Sequence, residues 1–478
     1  MATHAADSGR SRSRSAALSP FVTRELPEPP RQIWRIIGPG IVGAGVALSS
    51  GEFILWPFIA SQVGLVFLWG ALVGSVTQFF LNMEVERYTL ATGETALTGF
   101  NRVWKHWGLV LAVMVYFANL WPGWALSSAT LLSYLTGGEP RVIAVVMLLV
   151  LGAGLTFAPV VYVALERLLL VKVLAVAVLA VLAVSLAIQP PSWAALPAGL
   201  TGLGGFPSEL GFALLFGAMV FAGGGGGQNL CQSNWIRDKG FGMGQYVPRL
   251  VSPITGVEEA AVPGGTAFTF EPTPQNMGRW RRWWRFANVE QAFTFTAMTI
   301  VTICITSMLA HSLLFGQPGL PNNVSFLQIE GQRLAERIGG WFGVFFWAVG
   351  AFSLFGAAMG IVDYTSRLAA DVLKSTYFPA AAVSESRIYF GLVWGLVAIG
   401  CTILTFGLAQ PIVLLVISAS VGGFMMCVYS LLLIVINRRE LPAAVRMRSY
   451  RLGIMVWATL LFGVMAALTI WQQVQQLT

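Results

Sequence analysis

Glu52 closes the tetrapeptide Ser49-Ser50-Gly51-Glu52, inside a stretch otherwise apolar enough to cross a bilayer. A carboxylate at mid-membrane depth is costly, which marks it as functional by default. Paired serines and a glycine there break the helix, and a broken helix frees backbone carbonyls. With the serine hydroxyls, these carbonyls and Glu52 can bind a cation, carry a proton or recognise an amine. The plainer alternative is that Glu52 only hydrogen-bonds the unwound backbone. A second cluster lies in the sixth apolar stretch: Gly223, Gly224, Gly225, Gly226 and Gly227, then Gln228 and Asn229. Bare backbone leaves space for a ligand or freedom for a gate, and the two amides can coordinate a cation or hydrogen-bond an organic group. Helix packing explains one or two glycines better than a run of them followed by amides. The expected substrate-binding set is therefore Ser49, Ser50, Gly51, Glu52, the glycine run, Gln228 and Asn229. Ser49, Glu52 and Gln228 are the expected metal ligands.

A third set suits coupling and gating. Asp363 and Arg367 lie four residues apart and pair across one helical turn. Alternatively Asp363 joins Thr365 or Ser366, faces the first segment and forms a coupling-ion or proton site. Glu84, Glu86 and Arg87 near the end of the second stretch, and Glu166-Arg167 at the start of the fifth, are expected as gate or interface ion pairs. Asn119 is expected to line the cavity, next to a kink at Pro122. The expected coupling set is thus Asp363, Thr365, Ser366, Arg367, Glu84 and Asn119.

These residues need a membrane scaffold. Of the 478 residues 56% are apolar and only 10% charged, where a soluble chain carries about a quarter. Mean hydropathy is +0.71. Eleven segments reach the length of a membrane span, at 34–60, 65–90, 106–134, 142–159, 161–187, 209–236, 287–315, 341–373, 388–408, 411–436 and 453–472. Segments 1 and 6 carry the breaks. Matching broken segments in two halves point to the binding site of a secondary transporter. The architecture expected is all-α, with a first five-helix repeat at 34–187, a second at 209–436 and an eleventh helix. Residues 1–33 read as a disordered tail and 188–208 as an external loop. Residues 238–285 read as a long cytoplasmic loop, with a short hairpin at Val262–Phe270, and 437–478 hold a basic loop and the last helix.

Orientation follows from charge. With the N-terminus in the cytoplasm, all but Arg141, Arg333 and Arg337 of the 29 Lys and Arg fall on the cytoplasmic side. Lys172 is counted there, at the start of segment 5. The C-terminus is then external, and the plasma (inner) membrane is the expected location. The run Arg279-Trp280-Arg281-Arg282-Trp283-Trp284-Arg285 reads as an interfacial anchor rather than a nucleic-acid surface. The four cysteines and three histidines fit no metal or haem spacing. No phosphate loop, nucleophile elbow or HExxH pattern is present, so neither an enzyme nor a cofactor is expected.

Several motifs carry a family resemblance. Gly38-Pro39-Gly40 precedes the first break by eleven residues, and Leu90-Ala91-Thr92-Gly93 ends segment 2. Glu166-Arg167-Leu168 opens segment 5, and Thr365-Ser366-Arg367-Leu368-Ala369 lies in segment 8. Together, over segments 1 to 10, these resemble the Nramp family of proton-coupled divalent-metal transporters. The resemblance implies a LeuT-type fold of two inverted five-helix repeats, with substrate between broken helices 1 and 6. The site motifs depart from it. The family's first break reads Asp-Pro-Gly-Asn, which puts Ser49 in place of the metal-binding Asp and Glu52 in place of the Asn. Its Met-Pro-His in helix 6 is replaced by the glycine run, with Gln228 nearest the His. Its acidic pair in segment 3 becomes Asn119 and Pro122. The function expected is transport of a cation, such as Mg²⁺ or Mn²⁺, through a site rebuilt around Glu52. The alternatives are an organic-solute transporter, for an amine or amino-acid-like molecule, and a non-transporting sensor or scaffold using the 238–285 loop.

Overall fold

A computed structural model describes residues 18–30, 38–158, 160–207, 209–248, 250, 267–379, 383–407 and 411–477. Long apolar runs form the helices, because a bilayer leaves backbone groups no partner outside the helix itself. The segments run Pro39–Val63, Leu68–Thr92, Trp107–Thr136, Pro140–Phe157, Val161–Ala187, Phe212–Val220 with Gly227–Lys239, Pro274–Leu314, Gly340–Tyr377, Glu385–Phe406, Pro411–Arg439 and Tyr450–Leu477. Among the described residues, nine helices are long and apolar enough to cross a membrane. The other two segments carry much of the site. Segment 2 is diluted by buried polar residues such as Gln78, Asn82 and Glu84, and segment 6 is two short helices around a turn.

Segment 1 is helical over Pro39–Ala47, leaves the helix at Leu48, and resumes through a wide turn at Gly51–Leu55 into Trp56–Val63. Segment 3 is interrupted between Asn119 and Gly123, at Pro122. Segments 4 and 5 separate between Phe157 and Val161.

Four expectations require correction. The 188–208 stretch holds a helix, Pro190–Thr201, started by Pro190 and Pro191 in its first turn. Its Ser192 hydroxyl bonds His311 Nδ1 at 2.8 Å. Part of the 1–33 tail is structured: strand β1, Val22–Thr23, pairs in parallel with strand β2, Phe268–Thr269. Phe268 therefore joins the tail rather than a local hairpin, and Val262–Thr266 lie outside the described residues. The 238–285 loop ends early, because the Arg/Trp run lies on a helix continuous with segment 7, with Arg281, Arg282 and Arg285 exposed and two tryptophans facing protein. Trp280 and Trp283 are buried, and Trp283 Nε1 donates to Pro27 O at 2.9 Å. Finally, Lys172 is fully buried within its helix instead of flanking it. One further helix, Phe326–Arg337, links segments 7 and 8 on the face opposite β1.

Candidate functional site

The two helix breaks touch. A Cβ on Gly51 would collide with the Phe221 carbonyl, so only glycine lets the chains approach here. Around this contact lies a small cavity. Ser49, Ser50, Asn119, Trp124, Phe221 and Gln228 line it, together with the backbone of 46–47 and 223–225 and side chains of segments 8 and 10. None of the lining residues is charged. In this arrangement the space suits about two water molecules.

Side chains meet several of the backbone groups at the breaks, as burial demands. At the first break, Ser353 Oγ donates to Leu48 O at 3.0 Å. Lys172 Nζ donates to Gly45 O, and Gln228 Nε2 donates to Gly43 O. The Ser49 N–H donates to Glu52 Oε2 at 2.9 Å. At the second break, Gln78 of segment 2 does most of the work. Its Nε2 donates to Val220 O at 3.0 Å and Met219 O at 3.3 Å, and its Oε1 accepts from the Gly224 N–H at 2.6 Å. Ser75 Oγ donates to Ala222 O at 2.7 Å. Gly225 and Gly226 adopt φ of +64° and +87°, which glycine tolerates best.

The expected residues are therefore placed as follows. Ser49, Ser50, Gly223, Gly224, Gly225 and Gln228 line the cavity. Glu52 does not. It is fully buried, turned to the Ser49 amide, and its Oε1 has no hydrogen-bond partner among the described residues. Asn229 caps the second half-helix through the Gly226 N–H at 3.0 Å and donates to Asn82 Oδ1 at 2.8 Å. Gly226 and Gly227 are packed tightly, against Gly422 and against Val115 and Tyr364, so the glycine run opens less space than its composition suggests. Among the described residues, no group of three or more His, Cys, Asp or Glu is arranged to hold a metal.

The coupling set divides. Asn119 meets Thr365 Oγ1 at 3.0 Å and accepts from Tyr364 OH at 3.2 Å, beside the cavity. Asp363 pairs with Arg367 at 2.8 Å, accepts from Tyr389 OH at 2.7 Å, and faces segments 6 and 9 instead of the first break. Arg367 also binds Asp238. Next to it, Arg237 binds Asp371 at 2.5 Å and Glu385 at 3.1 Å. Glu84 pairs with Arg87 at 2.7 Å and Arg451 at 3.3 Å, and Lys239 pairs with Glu166 at 2.7 Å. These ion pairs tie the second half of segment 6 and its neighbours together on the face that carries β1. Ser366 Oγ is buried without a hydrogen-bond partner among the described residues.

Sequence reasoning missed Lys172, Gln78 and Ser353 as site supports. A signal existed for Lys172, a lone ammonium within Leu168–Leu174. An intramembrane lysine is a functional residue by default. Glu290 was also missed. Its Oε1 accepts from the N–H groups of Gly38 at 3.3 Å and Gly40 at 2.7 Å, at the start of segment 1, where a carboxylate complements the helix dipole.

No family model matches the sequence, and no curated protein matches it. Solved structures do. A mutant of the Eremococcus coleocola manganese transporter aligns at a TM-score of 0.63 and 10% identity, over 95% of this chain and 90% of that one. The same transporter in complex with an aromatic bis-isothiourea compound aligns at 0.62 and 9%, over 96% and 90%. Mhp1, a nucleobase-cation-symport-1 family transporter in a closed conformation with bromovinylhydantoin bound, aligns at 0.50 and 12%, over 96% of each chain. At such identities the likeness establishes architecture: the chain is a helical membrane protein with the LeuT-type fold, broken in helices 1 and 6.

Proposed function

We propose that the chain is a secondary transporter that works by alternating access, with its cargo held between the two helix breaks. One observation carries this reading: the breaks meet at a cavity where hydroxyls, amides and backbone stand beside apolar Trp124, Phe221, Ile361 and Leu415, and no lining residue bears a charge. Such a lining favours a small, uncharged or internally neutral polar solute, because a bare ion there would lack a counter-charge. The nucleobase-family neighbour is compatible with an organic cargo. Lys172 supports the same view. Its ammonium is spent on Gly45 O and Glu52 is turned to the Ser49 amide, so neither side chain lines the cavity.

A metal cargo is the second reading, favoured by the unpartnered Glu52 Oε1 and by the manganese-transporter neighbours. In that case Glu52 turns from the Ser49 amide into the cavity, and Ser49 and Gln228 add oxygen ligands. We place the N-terminus in the cytoplasm and the protein in the plasma membrane, on the bias of Lys and Arg.

Uptake into proteoliposomes tests both readings. The cargoes are Mn²⁺, Mg²⁺ and a panel of amino acids, amines and nucleobases, with a pH gradient on or off. Wild type is compared with Glu52→Gln, and thermal stabilisation by each compound is measured in parallel. Metal flux that vanishes in Glu52→Gln establishes the metal reading. Solute flux or stabilisation that survives it establishes the organic one. Neither flux nor stabilisation, in sealed vesicles with the protein inserted, overturns the transporter proposal and leaves the scaffold alternative.

A further inference from the structure

Away from the central cavity, a second small cavity lies on the face opposite β1. It is enclosed by the outer part of segment 1 (Phe53, Pro57), by segments 5, 7 and 8, and by the helix Phe326–Arg337, whose Glu330 reaches into it. Glu330 is 1% exposed, and its Oε2 has no hydrogen-bond partner among the described residues. The other polar side chains lining the cavity are Thr302 and Thr306, on one face of segment 7. There is room for about one water molecule. Too few oxygens converge to strip the hydration shell from a metal ion, whereas one proton removes the charge of a buried carboxylate.

The charges nearby lie elsewhere. On its own helix, Arg333 and Glu336 are exposed and pair with each other at 3.2 Å, and Arg337 is exposed. On segment 5, Lys172 is committed to Gly45 O. On segment 1, Glu52 is turned to the Ser49 amide. On segment 7, His311 bonds Ser192. Tyr134 of segment 3 packs against Trp347 of segment 8.

The helix itself is firmly seated. Phe326 packs on Phe58 with ring centroids 5.6 Å apart. Trp347 Nε1 donates to Leu327 O at 2.9 Å, and Gly331 leaves no room for a Cβ against the Trp347 indole.

We propose that Glu330 is a proton-binding site: it holds a proton while the helix is seated and releases it when the helix lifts off the outer part of segment 1. Burial pushes the Glu330 carboxyl up to about 8 from an ordinary 4.5. The seated state thus binds more protons than the lifted one between those values. Stability of the seated state is full below about pH 4.5 and is lost as pH rises toward about 8. The lifting equilibrium grows about tenfold per pH unit in that window and levels off above it.

Hydrogen exchange by mass spectrometry on the full chain in nanodiscs reads this directly and needs no cargo. Between pH 6.5 and 7.5, after correction for intrinsic exchange, protection of amides in 326–337 should fall about tenfold in wild type. Glu330→Gln should show no such change, and neither should Glu330→Met, which removes the polar group altogether. A wild-type profile without pH dependence, or either variant keeping the wild-type slope, overturns the proposal.

Discussion

At the first helix break, the carbonyls of Leu48 and Gly45 are met by a serine hydroxyl from segment 8 and a lysine ammonium from segment 5, with Glu52 folded back on the chain. At the second, the freed groups of Met219, Val220, Ala222 and Gly224 are met by Gln78 and Ser75, neutral side chains of one helix. The second break is also locked by geometry, through the positive φ of Gly225 and Gly226 and the close approach of Gly422. Both solve the problem of loose backbone groups in a membrane. They differ in what can loosen them. Amide and hydroxyl bonds do not change with protonation, but an ammonium and a carboxylate do. The first break is therefore held partly by a charged side chain, and the second is a fixed wall of neutral ones.

The harshest test of that contrast is Lys172→Met. It strands Gly45 O and removes a positive charge that acts on buried Glu52, a loss on the order of 3 kcal/mol. Thermal unfolding of the purified protein should register it as a large drop. Adding Glu52→Gln should restore much of the loss, and no restoration would mean the two side chains do not act together. Gly226→Ala attacks the other wall. A Cβ there sits 2.6 Å from Gly422 O, on a residue with φ +87°. The expected cost is about 1–3 kcal/mol, with no rescue by any change of charge at Lys172 or Glu52. A variant as stable as wild type would show that this wall can yield. The mildest change is Ser353→Ala, which removes one bond to Leu48 O. Hydrogen bonds between membrane helices average about 0.6 kcal/mol, so the unfolding temperature should barely move. A shift rivalling that of Lys172→Met would mean that the hydroxyl, rather than the ammonium, holds the first break.

Much of this could be read from residue types. Both breaks announced themselves, because Ser49-Ser50-Gly51 and the glycine run violate what a lipid-facing helix permits. The pairing of Asp363 with Arg367 followed from helical spacing. What escaped was long-range. Whether Glu52 faces a cavity or its own backbone depends on the rotamer it takes beside Ser49, and no spacing rule reports that. Lys172 was hidden by bookkeeping of charge: a lysine near a helix end normally snorkels to the interface, and only the position of segment 1 reveals that this one is enclosed. The glycines looked like open volume because their neighbours, Gly422 and Gln78, lie on other helices. Glu330 was invisible for the same reason, as an amphipathic helix exposes or hides a carboxylate according to what covers it.

The parallel pairing of β1 with β2 has a consequence for how the chain is made. Leu26 N donates to Asn276 Oδ1, a contact bridging 250 residues. Residues 22–26 therefore wait for their partner until six segments have been synthesised. Until then Trp280 and Trp283 do not yet exist to be covered, and Leu26 has nowhere to dock. Closing of this strand pair is a late event in biogenesis, a latch that fastens only after the first repeat and the second break have been delivered to the membrane.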